Sequence, residues 1–280
     1  MVNGTNSIPS TSTVALALIS DVFFGPGAEQ RLRARLREAK QRGASLAILP
    51  ELPFDRWIPA TRDVNDEDAE RSDGPRQQTL ARAAKDVGVA TIGGAIVRDL
   101  QGRRRNTVIA VDARGVVIGR YAKLHIPDEQ GFWERDHYEP GAEPPREFDV
   151  MGIRCGVLVC SDINRPGAAA LAKAGVDVIV NPRATERATF ERWKLVFRAT
   201  ALTCSTYVVS VNRPVSEQGV ALGGPSIVVD PNGEVVLETV DTIAIAQVSH
   251  ESVEQARRSY PGYLSMHAGI YAAAWQRLGS

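Results

Sequence analysis

Two stretches with no charged break, VALALIS over 14–20 and LAILP over 46–50, bracket a segment whose apolar residues recur at helical spacing. Each run has the length of a strand, and unbroken apolar character marks a strand covered on both faces. Between them, residues 29–42 carry Leu32, Leu36 and Ala39 on one face with basic residues opposite, and Gly43 supplies the stop. A strand, a helix and a second strand in this order make a right-handed parallel crossover. That unit puts the chain in the α/β class.

The pattern continues. Pro75 opens a helix through Leu80, Ala83 and Ala84 that stops at Gly88. Three strands follow over 89–97, 106–112 and 116–123, joined by tight turns, so they form a meander and the sheet is mixed. The Gly93-Gly94 pair marks a close backbone approach. After an irregular stretch over 124–145, the run GVLVC carries a further strand to its end at Cys160. A short helix over 167–174, a strand over 176–180, a long helix over 186–204 and a strand over 207–211 come next. Trp193, Phe197 and Ala201 share one face of the long helix. A hairpin over 226–237, turning at Pro231-Asn232-Gly233, and a last strand over 243–248 complete the series.

Neither a linker nor a repeat divides the chain. The expected architecture is one domain over 14–271, a four-layer αββα sandwich with two mixed β-sheets packed face to face and helices outside. Residues 1–13 read as a flexible tail. Residues 250–280, with Tyr260, Tyr263, Tyr271 and Trp275, read as a C-terminal arm packing on another subunit.

Charge narrows the partners. Lysine plus arginine and aspartate plus glutamate balance at 33 each, so no net field favours nucleic acid or an anionic membrane. No run approaches the ~18 apolar residues of a membrane span, and the opening residues lack the basic and apolar regions of a signal peptide. Cys155, Cys160 and Cys204 form neither a disulfide framework nor a paired metal spacing, which fits a reducing, cytoplasmic setting.

Chemistry gathers at the strand ends. Glu51, Lys123 and Cys160 stand where apolar runs give way to loops, and Glu134 lies within one such loop. Singly, each has a plain alternative: a turn residue, a surface cation, a loop charge, a small core thiol. Together they suit one task. A cysteine must become a thiolate, a carboxylate takes its proton, and an ammonium stabilises the anion. Cys155, at opposite strand parity to Cys160, reads as packing.

In these segments the chain resembles the nitrilase superfamily of carbon–nitrogen hydrolases. LAILPE carries Glu51, GRYAKLHIP carries Lys123, GFWERDHYEPG carries Glu134, and GVLVCSD carries Cys160. AGVDVIVNP, YVVSVNR through Arg213 and GPSIVVDPNGEVV match further, so the resemblance runs from Val14 to about Tyr271. It implies a Glu51–Lys123–Cys160 triad with Glu134 as a second glutamate. Glu51 would serve as general base, with Lys123 and the Ser161 N–H receiving the oxyanion. Asp162 would brace the turn. No metal and no cofactor enter this scheme, and a homodimer or larger homo-oligomer is implied.

Three positions depart from the family pattern. Gly167 stands where an acid is usual, and Thr200 and Thr203 stand where arginine and glutamate are common. Loss of mutual partners together would leave no buried orphan charge facing these sites. For the small-molecule substrate, Trp57, Trp133, Ser161, Asn164, Arg165 and Arg183 are the expected binding residues, with Phe54 and Tyr207 near the same rim. Arg165 and Arg183 read equally well as solvated surface charges. Ser161-Asp162 after the nucleophile favours an amide or N-carbamoyl compound, with a nitrile as runner-up. Two other classes stay open at this point: an inactive binding scaffold, and a metal or Cys–His enzyme built on His125, His137 and Cys160.

Overall fold

The computed structural model describes residues 13–278. The expected tail lies outside them except for Thr13, which opens the first strand. In chain order the first half comprises β1 (Thr13–Ile19), α1 (Ala28–Gln41), β2 (Leu46–Ile48), β3 (Ala69–Glu70), α2 (Pro75–Val87), β4 (Ala90–Arg98), β5 (Arg104–Val111) and β6 (Val117–Ala122). A one-turn helix, α3 (Glu134–His137), leads to β7 (Glu147–Val150), β8 (Ile153–Val157), α4 (Gly167–Lys173), β9 (Val178–Arg183), α5 (Phe190–Cys204), β10 (Tyr207–Asn212), β11 (Ser226–Val229), β12 (Val235–Thr239), β13 (Ile243–Ser249), α6 (His250–Arg258) and α7 (Ala268–Leu278).

Both sheets are mixed. The first runs β13-β1-β2-β4-β5-β6 with β3 on β4, and the second runs β12-β11-β10-β9-β8-β7. In each, three central strands are parallel (β1, β2, β4 and β8, β9, β10) and antiparallel strands flank them. Strand alternation separates the layers. Leu16, Leu18, Leu46 and Ile48 join the core shared by the two sheets, while Ala17, Ile19, Ala47 and Leu49 pack under α1 and α2. Each such aliphatic side chain contributes roughly 1.5–3 kcal/mol on burial. The arrangement is the αββα sandwich expected.

The glycine pair of β4 explains itself: a Cβ on Gly94 would stand 2.8 Å from the Thr107 carbonyl of β5, and one on Gly93 would press on Leu49 at 3.1 Å. Where the structure departs from expectation, local polarity misled. β9 runs on through Asn181, Pro182 and Arg183, all buried, past the strand end expected at 180. β7 is a half-exposed edge strand whose EFDV sequence gave no apolar run. β8 ends at Val157, three residues before the cysteine. The arm is also divided. Val253 and Ala256 of α6 are buried against the chain's own body, and Arg257 donates to the Val176 carbonyl. By contrast α7 buries no residue, with Ile270, Tyr271 and Trp275 each more than half exposed.

Candidate active site

The carboxyl ends of the parallel strands meet at one rim, where open α/β sheets place their crevices. Three residues beyond β2, Glu51 is fully buried. Its Oε1 accepts from Lys123 Nζ at 2.9 Å and from Asn106 Nδ2 at 2.8 Å, and its Oε2 accepts from the Ala184 N–H at 3.0 Å. Lys123 follows β6 directly and donates a second time, to Glu134 Oε2 at 2.5 Å. Tyr138, one helical turn after Glu134, donates its hydroxyl to the same oxygen. Glu134 Oε1 is buried and has no hydrogen-bond partner among the described residues.

Cys160 opens a 3₁₀ turn, Cys160–Asn164, in a left-handed conformation with φ 45°. A non-glycine residue in that region is strained, and such strain concentrates at functional turns. Asp162 fastens the turn: it accepts from the Tyr121 hydroxyl at 2.9 Å, the His125 N–H at 2.8 Å and the Val159 N–H at 3.3 Å, and pairs with His125 Nδ1 at 2.7 Å. Cys160 Sγ lies 3.9 Å from the Ala184 carbonyl. Ala184 therefore touches both halves, its N–H on Glu51 and its carbonyl on the thiol.

Burial governs the electrostatics. It pushes the Cys160 thiol above its ordinary range, Glu51 adds to the rise, and Lys123 opposes it. Burial alone would lower Lys123, but Glu134 and Glu51 outweigh it and hold the ammonium firmly charged. Burial also raises Glu134 against the pull of Lys123. Tyr138 is raised first by burial and then by Glu134, so it stays a neutral donor.

The expected binding residues divide. Ser161, Asn164 and Arg165 line an open cavity of about 700 Å³ together with His125, Arg135 and Tyr138. Tyr138 and Ser161 join this cavity to the buried cluster. Trp57, Trp133 and Arg183 are not in its lining. Trp57 is wholly enclosed, donating Nε1 to the Gly131 carbonyl at 2.8 Å. Trp133 carries the Arg62 guanidinium 3.7 Å over its ring. Arg183, the last residue of β9, is not a solvated surface charge, because its side chain is fully buried on the α5 side of the strand. Phe54 packs under α1 and α2, and Tyr207 in the core.

Asn106, Tyr138 and Arg213 were missed as site residues. Tyr138, four residues after Glu134, and Arg213, closing YVVSVNR, each left a trace in a matched motif. The side chains named in the Cys–His alternative are engaged elsewhere: His125 Nδ1 with Asp162 at 2.7 Å, His137 Nε2 with the Thr61 carbonyl at 2.7 Å, and Cys160 Sγ with the Ala184 carbonyl. Among the described residues no group of three or more His, Cys, Asp or Glu side chains is arranged for a metal ion. At Gly167 an added Cβ would meet Leu158 at 2.8 Å and Pro145 at 3.5 Å, both apolar. The groove holding Thr200 and Thr203 has Arg165 as its charged lining residue, and Arg165 is exposed.

Residues 27–258 match the model of the carbon–nitrogen hydrolase family. This chain is a carbon–nitrogen hydrolase of the nitrilase superfamily. Similar relatives of this hydrolase include an omega-amidase NIT2 of Xenopus tropicalis, 29% identical over 81% of this chain and 84% of the relative. A nitrilase of Pyrococcus abyssi is 30% identical over 79% of this chain and 83% of its own length. The hydrolase also shares its fold with a carbon–nitrogen hydrolase from Helicobacter pylori G27, at TM-score 0.80 and 19% identity, covering 93% of this chain and 98% of the other.

Proposed function

We propose that this hydrolase cleaves the C–N bond of a small amide or N-carbamoyl compound through a thioester on Cys160. The observation that carries the reading is the enclosed Glu51–Lys123–Glu134 cluster, joined through Ala184 to a thiol on a strained turn. Glu51 takes the Cys160 proton as sulfur attacks the carbonyl carbon. Lys123 has three N–H donors, two spent on carboxylates, and the third is free for the oxyanion beside the Ser161 N–H. Removing one such donor costs about 3 kcal/mol of transition-state stabilisation. Glu51 then gives its proton to the leaving nitrogen, and ammonia or an amine departs. Water, deprotonated by Glu51, attacks the thioester; the acid leaves and the thiol is restored.

The unpartnered Glu134 Oε1 favours amide over nitrile. A buried acceptor calls for a donor. An amide or ureido NH₂ supplies one and a nitrile does not. Asn164, Arg165 and Ser161 are the contacts proposed for the rest of the substrate. The exposed apolar face of α7 supports a homodimer or larger homo-oligomer, and three free cysteines support a cytoplasmic setting. Among the described residues no helix is long and apolar enough to cross a membrane.

The test is an ammonia-release screen of amides, N-carbamoyl compounds and nitriles, with Cys160→Ala as the blank. Turnover of an amide or carbamoyl compound that disappears in the blank is the expected result. Turnover confined to nitriles, or surviving in Cys160→Ala, would refute the proposal.

A further inference from the structure

Three cations among the described buried groups answer to carboxylates: Lys123 to Glu51 and Glu134, Arg213 to Glu217 at 2.7 Å, and Arg105 to Asp99 at 3.1 Å. Arg183 answers to none. Its Nε donates to Ser210 Oγ at 2.9 Å, Nη1 to Thr185 Oγ1 and Nη2 to the Pro225 carbonyl. The rings of Phe190 and Phe197, from α5, lie 5.7 and 5.6 Å from the guanidinium carbon. Every acceptor is neutral. An ion buried without a counter-charge costs several kcal/mol even when hydrogen-bonded. Burial lowers Arg183 to about 9, which still leaves it a cation at neutral pH; Cys160 draws it back up, although the thiol itself answers most to burial, Glu51, Lys123 and Glu134.

The strand directs this charge to the nucleophile. Arg183 and Asn181 are two apart on β9 and share a face. Asn181 Nδ2 donates to the Leu158 carbonyl at 2.6 Å and to the Cys160 carbonyl at 3.1 Å, while Asn181 Oδ1 accepts from Ser210 Oγ at 3.0 Å. A continuous hydrogen-bonded path thus links the guanidinium to the cysteine's own backbone.

We propose that Arg183 is a positioning residue whose uncompensated positive charge, beneath the Cys160 turn, favours the thiolate. The other charged or titratable groups facing the turn are Glu51 from the β2 loop, Lys123 from β6, Glu134 from α3, and Asp162 with His125 and Tyr121. When the proton moves from sulfur to Glu51, negative charge leaves the side faced by Lys123 and arrives on the side backed by Arg183. The cation has no carboxylate of its own, so its field is left to act on sulfur. This deepens the proposal that Cys160 is the nucleophile and rests on it.

The experiment reads the thiol and not turnover. Iodoacetamide alkylation of Cys160, followed by peptide mass spectrometry to separate it from Cys155 and Cys204, is measured across roughly pH 6–10. Arg183→Gln should slow alkylation about tenfold at neutral pH and move the midpoint up by about one unit. Arg183→Lys, which keeps the charge, should recover most of the rate. Thr185→Asp should slow it in the same sense by giving Arg183 a carboxylate. A folded Arg183→Gln with the wild-type profile, or Arg183→Lys as slow as Arg183→Gln, overturns the proposal. If Arg183→Gln does not fold, an unchanged profile in Thr185→Asp overturns it alone. Failure here leaves intact a Cys160- and Glu51-dependent ammonia release, so the two proposals fail separately.

Discussion

The turn that carries Glu51 and the turn that carries Cys160 solve the same problem with opposite chemistry. Each stands three residues beyond a central parallel strand, and each holds a strained residue, Leu52 at φ 46° and Cys160 at φ 45°. The first is held from outside by a donor. Arg213 gives Nη1 to the carbonyls of Glu51 and Leu52 and Nη2 to that of Asp55, and Glu217 neutralises it. The second is held from within by an acceptor, Asp162, which collects N–H groups and a hydroxyl. A turn that leaves carbonyls unpaired calls for a cation, and one that leaves N–H groups unpaired calls for a carboxylate. The fastening follows backbone polarity, while the side chain proposed to react faces the cluster in both cases.

Four experiments press on that comparison. Cys160→Ala and Glu51→Gln should each remove turnover, by about 10³-fold or more, while leaving the circular dichroism of the fold in place. A wild-type rate in either would dissolve the pairing of the two turns. Next come the fasteners. Asp162→Asn, which loses a buried charge but keeps some acceptor capacity, and Arg213→Gln, which strands Glu217, should each cost about 3 kcal/mol in urea unfolding. The opposite polarity predicts unequal rescue: Glu217→Gln combined with Arg213→Gln should recover part of the loss, and no such partner exists for Asp162 apart from the half-exposed His125. Smallest is Ser161→Ala, which removes the hydroxyl bond to the His125 carbonyl and should cost about 1 kcal/mol with less than tenfold in kcat/KM. A larger kinetic loss there would give the hydroxyl itself a part in the chemistry, beyond the backbone N–H.

Glu51 and Cys160 were legible because each breaks an apolar run, and a break in a buried strand shows in one dimension; Lys123 ends a half-exposed strand and was legible only as its last polar residue. Glu134 was not legible from pattern at all. It lies on a one-turn helix in a polar loop, and only its company with the other three and the family resemblance singled it out. The burial of Arg183 escaped the pattern for a related reason. A buried arginine met only by hydroxyls and a carbonyl has no carboxylate at a helpful spacing to betray it, so it reads as a rim or surface charge. Asn106 and Arg213 act on Glu51 from 55 and 162 residues away, distances that no local reading spans. The sheets themselves were easier, since apolar alternation is written residue by residue, and only β7, β3 and the polar end of β9 escaped it.

Ala184 joins the two turns, with its N–H on a residue of the first sheet's rim and its carbonyl beside a thiol of the second. Neither sheet alone assembles the proposed base beside the proposed nucleophile. Catalysis is therefore a gauge of sandwich closure during refolding. Recovery of ammonia release should lag the return of strand signal and coincide with the moment the two sheets meet.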